Sequence, residues 1–407
     1  MIVNEKNRSR KLKNNILSLG QKAKKAKKEN PNTINATVGM LSDENNVLYT
    51  FKSVTQAISE LPMDKIFAYG DTGGSSKFKQ AIKTWVFDQT LPLYENHHIE
   101  VVATPGGSGS IAITFANYLN PGDKVVLPDI MWETYITFAK TRDCDYMTYQ
   151  LFDESGRFNL NSIKHCIDEL IDQETVVLVV NDPCQNPTGF CMNDEEYDEL
   201  VKLLNSYDRN IVLFMDVAYF DYYSSNRSKV RNRFAKLASL NENILTIFGF
   251  SGSKTFGLYG LRIGAAIAVS KNQEEIDYFK NVAEFTSRGS WSSSSTLGCS
   301  LIEQLVLNEK YHDIFTNELK QICETLEERA KIFIEESKKC NLKLLPFERG
   351  FFVCIPTSNP VQLMEALHQD NCFVVVTKTC IRVALCSINI DEARRLPNII
   401  KNRMNNL

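Results

Sequence analysis

Lys254 follows two serines and precedes an arginine in Phe248-Gly-Phe-Ser-Gly-Ser-Lys-Thr-Phe-Gly-Leu-Tyr-Gly-Leu-Arg-Ile-Gly264. An amine, two hydroxyls and a guanidinium crowd into one short stretch behind an apolar run. A buried lysine shifts its pKa readily and condenses with a carbonyl to a Schiff base. Ser251, Ser253 and Arg262 suit a phosphate dianion. The same residues also fit an exposed serine-rich turn, because short motifs of this kind recur by accident. The chemistry therefore depends on what else the chain supplies.

Five further segments supply matching groups. Thr104-Pro-Gly-Gly-Ser-Gly-Ser110 lies between an expected strand and an expected helix. Its glycines let successive backbone N–H groups at a helix N-terminus approach an anion closely. It lacks the Gly-Lys-Ser/Thr of a nucleotide-phosphate loop and departs from the dinucleotide fingerprint. In Asn181-Asp-Pro-Cys-Gln-Asn-Pro-Thr-Gly189, Pro187 holds Asn186 extended, so its amide is free to face a ligand oxygen. Asp216 ends the apolar run of Leu213-Phe-Met-Asp-Val-Ala-Tyr-Phe220. A carboxylate there needs a positive partner, such as a protonated ring nitrogen. Tyr219 follows and can donate to a phenolate-like oxygen. Trp132 offers a face for a planar ring. Arg382 offers a two-pronged clamp for a carboxylate. Each has an ordinary reading as turn, cap, core residue or interdomain ion pair. Taken together they form the set that one cofactor requires, pyridoxal phosphate.

The elements that must hold these residues alternate. Strands are expected at 99–104, 124–127, 145–149, 175–180, 211–215, 244–248 and 261–268, with helices at 54–61, 76–87, 111–118, 134–140, 160–170 and 194–204. This rhythm predicts a mainly parallel sheet covered by helices on both faces, with ligands beyond the carboxyl ends of its strands. Every candidate residue falls at a strand end or in the turn after it. Beyond 296 the pattern changes to helices at 297–307 and 313–338, strands at 342–345, 351–355, 372–377 and 382–385, and a terminal helix from about 391. The expected organisation is an arm at 1–50 that joins a smaller unit, a large domain at 51–296, and a small α+β domain at 297–407.

Composition excludes several classes. With 46 Lys+Arg against 49 Asp+Glu, the net charge of -3 gives no general affinity for polyanions. Residues 1–30 hold ten basic residues and two acids, yet Ile16, Leu17, Leu19, Ala23 and Ala26 recur near helical spacing. An amphipathic helix with a solvated basic face is expected there. The segment 1–13 has no apolar run of a secretory signal. No stretch is long and apolar enough to span a membrane. The eleven cysteines contain no CxxC pair and the histidines no HExxH. Reduced thiols in a cytoplasmic protein without a metal site are the expectation.

The Asn-Pro-Thr-Gly, Asp-x-Ala-Tyr and Ser-x-Ser-Lys-x-Phe-Gly-Leu-x-x-x-Arg-x-Gly motifs, in this order, resemble those of class I aminotransferases, pyridoxal-phosphate enzymes of fold type I. The resemblance runs from about residue 35 to 385. The Ile-Asn-Ala-Thr-Val-Gly39 segment and Arg288-Gly-Ser-Trp-Ser are similar to the bacterial group of aromatic and aspartate aminotransferases. It implies that Lys254 holds the cofactor as a Schiff base and shuttles a proton. Asp216 would pair with the pyridine nitrogen, Asn186 and Tyr219 with the ring hydroxyl, and Trp132 would stack on the ring. Gly107, Ser108, Ser251 and Arg262 would bind the phosphate, with Ser253 nearby and Tyr69 reaching in from a neighbouring subunit of a homodimer. Arg382 would take the α-carboxylate, Gly39 would close the pocket, and Arg288 would stand where a distal carboxylate is gripped. Gly106 replaces a serine of the dicarboxylate enzymes, and Tyr135 a histidine behind the aspartate. The implied reaction moves an α-amino group from an aromatic or acidic L-amino acid to a 2-oxo acid such as 2-oxoglutarate. A β-lyase or other amino-acid reaction on the same fold is the alternative.

Overall fold

The computed structural model describes residues 2–8, 10–11 and 16–407. Numbered along the chain, its strands are β1 (Ile34–Asn35), β2 (His98–Thr104), β3 (Lys124–Pro128), β4 (Asp145–Tyr149), β5 (Thr175–Asn181), β6 (Asn210–Asp216), β7 (Ile244–Ser251), β8 (Gly264–Ser270), β9 (Phe352–Pro356), β10 (Cys372–Phe373), β11 (Val375–Val376) and β12 (Cys380–Ala384).

Seven of them build one sheet in the order β2-β8-β7-β6-β5-β3-β4. From β4 to β7 every pairing is parallel. The apolar runs Val-Val-Leu-Val-Val of β5 and Ile-Val-Leu-Phe-Met of β6 are buried on both faces, as a helix-covered sheet requires. β8 departs from the parallel scheme. It runs antiparallel between β7 and β2, and its Ala266 and Ala268, on the face they share with Ile111, Ile113 and Phe115, leave room for the helix Gly106–Tyr118 packed across it. The chain thus has the expected α/β architecture, a large sheet between layers of helices.

Three local expectations change. The glycine-rich run after Pro105 is already helix, so the helix foreseen at 111–118 begins at Gly106. Residues 342–345 form no strand; they run as irregular chain tied by Leu345 N–H to the Cys354 carbonyl at 2.9 Å. The expected strand at 372–377 divides. β10 pairs parallel with β1, while β11 pairs antiparallel with β12. Helix Gln273–Ser290, with Arg288 in its last turn, has no counterpart among the expected elements.

The N-terminal helix Ile16–Glu29 forms as its periodicity predicts, although the side chains of Ile16 and Leu17 lie outside the described residues, as does part of the basic opening at 1–13. Through β1 this arm joins the C-terminal strands, where Ile34 and Ala36 share a core with Val353, Ile381 and Leu396. Apolar residues of the long helix Glu309–Lys339 pack with the main core up to Leu326 and with the smaller core from Ala330 onward. Helix Thr296–Leu307 packs on helices Lys52–Glu60, Asp64–Phe67 and Ser76–Phe87. No helix among the described residues is long and apolar enough to cross a membrane.

Candidate active site

Strand register assembles two rows of residues at the carboxyl edge of the sheet. Asn181, Asp216 and Gly249 stand side by side on β5, β6 and β7. Thr104, Gly264 and Ser251 do the same on β2, β8 and β7. The second row puts the N-terminus of helix Gly106–Tyr118 beside Ser251 and the Arg262 turn, segments more than a hundred residues apart in the chain.

At that corner the backbone is close-packed for a reason. Gly106 has φ +73°, and a side chain there would meet Arg262 Nη2 at 2.8 Å. A side chain at Gly107 would lie 3.4 Å from Ser251 Cβ. Arg262 itself adopts a positive φ of 53°, and its Nη1 donates to Ser253 Oγ at 3.1 Å and to the Tyr259 carbonyl at 3.0 Å. A helix N-terminus, Ser108, two buried serine hydroxyls and a guanidinium thus converge. That donor set fits a phosphate.

In the first row, buried Asp216 accepts a hydrogen bond from the Tyr135 hydroxyl on Oδ2 and from Ala218 N–H at 3.1 Å on Oδ1. Burial pushes its carboxyl pKa up, against the hydrogen bonds from Tyr135 and Ala218 and the charge of Lys254. Its carbonyl takes the Asn181 amide at 2.8 Å, and Asn181 Oδ1 takes Asn186 N–H at 2.8 Å, so the two loops brace each other. Half-buried Trp132 meets Tyr135 edge-on, ring centroids 5.6 Å apart.

Lys254 lies in the short helix Gly252–Thr255 after β7. Its Nζ donates to the Gly39 carbonyl at 3.2 Å and sits 5.5 Å from the Tyr219 ring and 5.1 Å from the Tyr259 ring. Desolvation lowers its pKa to about 8, with Arg382 and Arg262 adding to the shift and Cys386 and Asp216 opposing it. Gly39 is required where it stands, because a side chain would come within 2.6 Å of Phe352 Cζ. Buried Arg382 donates to Asn186 Oδ1 at 3.1 Å and to the Thr37 carbonyl at 2.7 Å, over the Phe352 ring at 4.2 Å. Its Nε is buried without a partner. Burial draws its pKa down.

Two candidates are not brought to this cleft by their own chain. Tyr69 is 96% exposed. Arg288 is exposed and donates to Ser292 Oγ at 2.8 Å. Four contributors escaped sequence reasoning: Thr37 and Phe352, which seat Arg382; Tyr259, beside Lys254; and Tyr222, whose hydroxyl donates to the Lys254 carbonyl at 2.7 Å. Tyr259 lies inside the lysine motif and Tyr222 just past Tyr219, but neither spacing discloses a contact. Thr37 lies inside the Ile-Asn-Ala-Thr-Val-Gly39 segment, which does not disclose its bond to Arg382, and Phe352 has no local signal.

A lysine facing a buried carboxylate, a phosphate cradle and an orphaned guanidinium nitrogen, arranged on the carboxyl edge of this sheet, define a pyridoxal-phosphate enzyme of fold type I. Comparison with known proteins agrees. The family model described as aminotransferase class I and II matches residues 31–400. The aromatic-amino-acid aminotransferase of Escherichia coli K12 is 22% identical over 336 residues, 80% of this chain and 83% of the relative. An aspartate aminotransferase of Sulfurisphaera tokodaii is 26% identical over 68% of this chain and 67% of its own. The crystal structure of an aminotransferase from Anaerococcus prevotii superimposes with a TM-score of 0.95 at 27% identity, covering 100% of both chains. The chain belongs to the aminotransferase class I and II family and is a pyridoxal-phosphate-dependent aminotransferase, acting on an amino acid and a 2-oxo acid.

Proposed function

We propose that this enzyme moves the α-amino group of an aromatic or acidic L-amino acid to 2-oxoglutarate, with Lys254 as its central group. The observation that carries the reading is the place of Lys254: it stands on the turn after β7, beside the end of β6 that bears Asp216, with its Nζ on the Gly39 carbonyl two residues from the Thr37 carbonyl that Arg382 holds. Relatives named for aromatic amino acids, tyrosine and aspartate support the substrate class. A Burkholderia pseudomallei relative described as covalently bound to pyridoxal phosphate supports the lysine linkage.

In this reading the phosphate is held by Gly107 and Ser108 at the helix N-terminus, by Ser251 and Arg262, and by Ser253 through Arg262. Asp216 faces the ring nitrogen and keeps a proton on it. Asn186 and Tyr219 hold the ring hydroxyl oxygen, and Trp132 covers the ring. Arg382 receives the substrate α-carboxylate; its unpartnered Nε and its bond to Asn186 support that role. Gly39 closes the pocket. When bound, pyridoxal phosphate supplies the electron sink for the charge left on the α-carbon. Lys254 Nζ would act as the general base that takes the α-proton and returns it. A depressed lysine pKa suits that task, since a larger share is free amine near neutral pH.

We further propose a homodimer in which Tyr69 and Arg288 serve the neighbouring subunit's site; the exposure of Tyr69, Phe67 at 80% and Met63 at 71% supports an apolar contact surface. A cytoplasmic setting fits eleven cysteines that are all free. The domain division is best drawn where the cores change, within helix Glu309–Lys339, with the arm at 1–50 joining the smaller unit.

Lys254→Ala tests the central assignment: multiple turnover and the visible absorbance of the lysine–cofactor linkage should both vanish, and retained turnover would overturn it. An amino-donor panel against 2-oxoglutarate, repeated with Arg288→Ala, tests the substrate class. Selective loss of aspartate and glutamate turnover means Arg288 reads a distal carboxylate; equal loss across donors means it does not.

A further inference from the structure

Lys254 sits on a turn with little stiffness of its own. The helix Gly252–Thr255 is four residues long, and one isolated turn has almost no intrinsic stability. Its internal support is Phe256 N–H and Leu258 N–H to the Gly252 carbonyl at 3.2 and 3.3 Å and Gly257 N–H to the Lys254 carbonyl at 3.3 Å. The preceding strand fixes where the turn begins but not which way its lysine points.

The neighbouring turn grips it from outside. β6 and β7 are adjacent, so the segments leaving their carboxyl ends run side by side. After Asp216 and Tyr219 the chain forms the 3-10 turn Phe220–Tyr222. From this turn the Tyr222 hydroxyl donates to the Lys254 carbonyl at 2.7 Å. The Asp221 carboxylate accepts the Thr255 hydroxyl at 2.7 Å. Lys254 is thus flanked by two hydrogen bonds to consecutive residues of one turn.

That turn is itself anchored. Asp221 Oδ2 also takes Trp85 Nε1 at 2.9 Å, and Oδ1 takes Arg231 Nη2 at 3.0 Å. Arg231 is fully buried, and its remaining donors reach the Trp85 carbonyl at 2.8 and 3.2 Å and the Arg227 carbonyl at 2.9 Å. Every oxygen of the Asp221 carboxylate is in use, and none of Asp221, Tyr222, Thr255 or Arg231 has an assigned part in the chemistry. A buried ion pair is weak evidence for stability alone, since apolar residues of similar size do as well. Here it has a second consequence: it holds one wall of the site at a fixed height.

We propose that Tyr222 and Asp221, the latter through Thr255, are positioning residues that set the reach of Lys254 Nζ. The inference rests on the assignment of Lys254 above. Because Tyr219 leads into the same turn, the group assigned to the ring hydroxyl and the group assigned to proton transfer share one rigid mount. Misplacement of a reacting group by about 1 Å can cost on the order of 100-fold in rate. Loss of one of two holding bonds should cost less.

The test uses the holoenzyme with Tyr222→Phe, Thr255→Val and Thr255→Ser. For each, kcat, KM for the amino donor, cofactor content, Tm and the pH midpoint of the visible absorbance of the Lys254–cofactor linkage are measured. Tyr222→Phe and Thr255→Val should retain full cofactor content. Each should lower kcat by about tenfold with KM changed less than about twofold, and each should move the absorbance midpoint. Thr255→Ser, which keeps the hydroxyl, should return kcat and the midpoint close to those of the unaltered protein. The proposal fails if kcat and midpoint are unchanged in both variants, if kcat falls only in proportion to lost cofactor, or if Thr255→Ser is as damaged as Thr255→Val. Absence of the linkage absorbance from the unaltered protein would defeat the assignment of Lys254 itself, and this inference with it.

Discussion

At the scale of the residue, Lys254 is held in a conflict that suits it for chemistry. Burial disfavours its charge, and Arg262 and Arg382 disfavour it further, while Asp216 pulls the other way. The outcome is a pKa near 8 instead of 10.5. Below that value Nζ is protonated and cannot attack a carbonyl; above it the amine is free. Cofactor-free protein should therefore recapture pyridoxal phosphate at a rate that rises with pH through about 8, followed by visible absorbance after mixing. Arg382→Gln removes a positive neighbour, so the midpoint should move upward. A midpoint still near 10 in the unaltered protein would show that the amine is solvated. Asp216 shows the complementary case. Its carboxyl is pushed up by burial and drawn back by Tyr135 and Ala218. Tyr135 was legible in the sequence only as a departure from a family pattern; the structure gives it a bond to Asp216.

At the scale of the element, the decisive piece is the start of helix Gly106–Tyr118. Its first residue has a left-handed φ, and its position is hemmed in by Arg262 Nη2. Gly106→Ala should cost ~1–2 kcal/mol in folding stability from the backbone alone. It should also push Arg262 aside and weaken cofactor binding by about tenfold or more, one misplaced charge-assisted hydrogen bond being worth about 1.5–3 kcal/mol. Urea denaturation and cofactor titration check the two effects separately, and unaltered cofactor affinity would remove Arg262 from the phosphate site. Much of the element pattern was readable. Strand β4 and helices Ser76–Phe87, Thr134–Lys140 and Asp194–Leu204 fall where the apolar spacing puts them. The glycine-rich start of helix Gly106–Tyr118 did not read as helix because glycine has poor intrinsic propensity, which packing against β7 and β8 overrides. The segment 342–345 read as a strand from its leucines, but it meets β9 through the bond from Leu345 N–H to the Cys354 carbonyl without continuing a ladder along it.

At the scale of the whole molecule, exposure sets two assigned residues apart. Tyr69 and Arg288 are both exposed. If each completes a neighbour's site, then a chain with Lys254→Ala and a chain with Tyr69→Ala should complement each other. In a mixed dimer one site carries both defects, and the other combines an intact Lys254 with an intact Tyr69. Activity above the sum of the separate variants, together with a solution mass twice that of the chain, is the expected result. Strict additivity would mean that Tyr69 acts within its own subunit or not at all. Arg329 belongs at this scale too. It is buried where helix Glu309–Lys339 passes from one core to the other, and it donates to Glu44 and to the carbonyls of Ser42 and Cys386. It thereby ties the segment Ser42–Glu44 and the turn at Cys386 to that helix at one point.

The sequence by itself determined which groups are present and where each lies along its strand. Asp216 ends β6, and Lys254 and Asn186 lie in the segments that follow β7 and β5, because the apolar β runs stop just before those places, and that stop is a local property. What only the tertiary structure decided is which strand ends are neighbours. Arg382 meets Asn186 and Thr37 across separations of 196 and 345 residues. Asp221 meets Thr255 and Trp85 across 34 and 136. Such contacts follow from strand order and crossover, which no local period encodes. The lysine motif announces an amine, whereas its pKa, its reach and its partners exist only once β6 and β7 of the large sheet and β12 of the three-stranded sheet have come together around it.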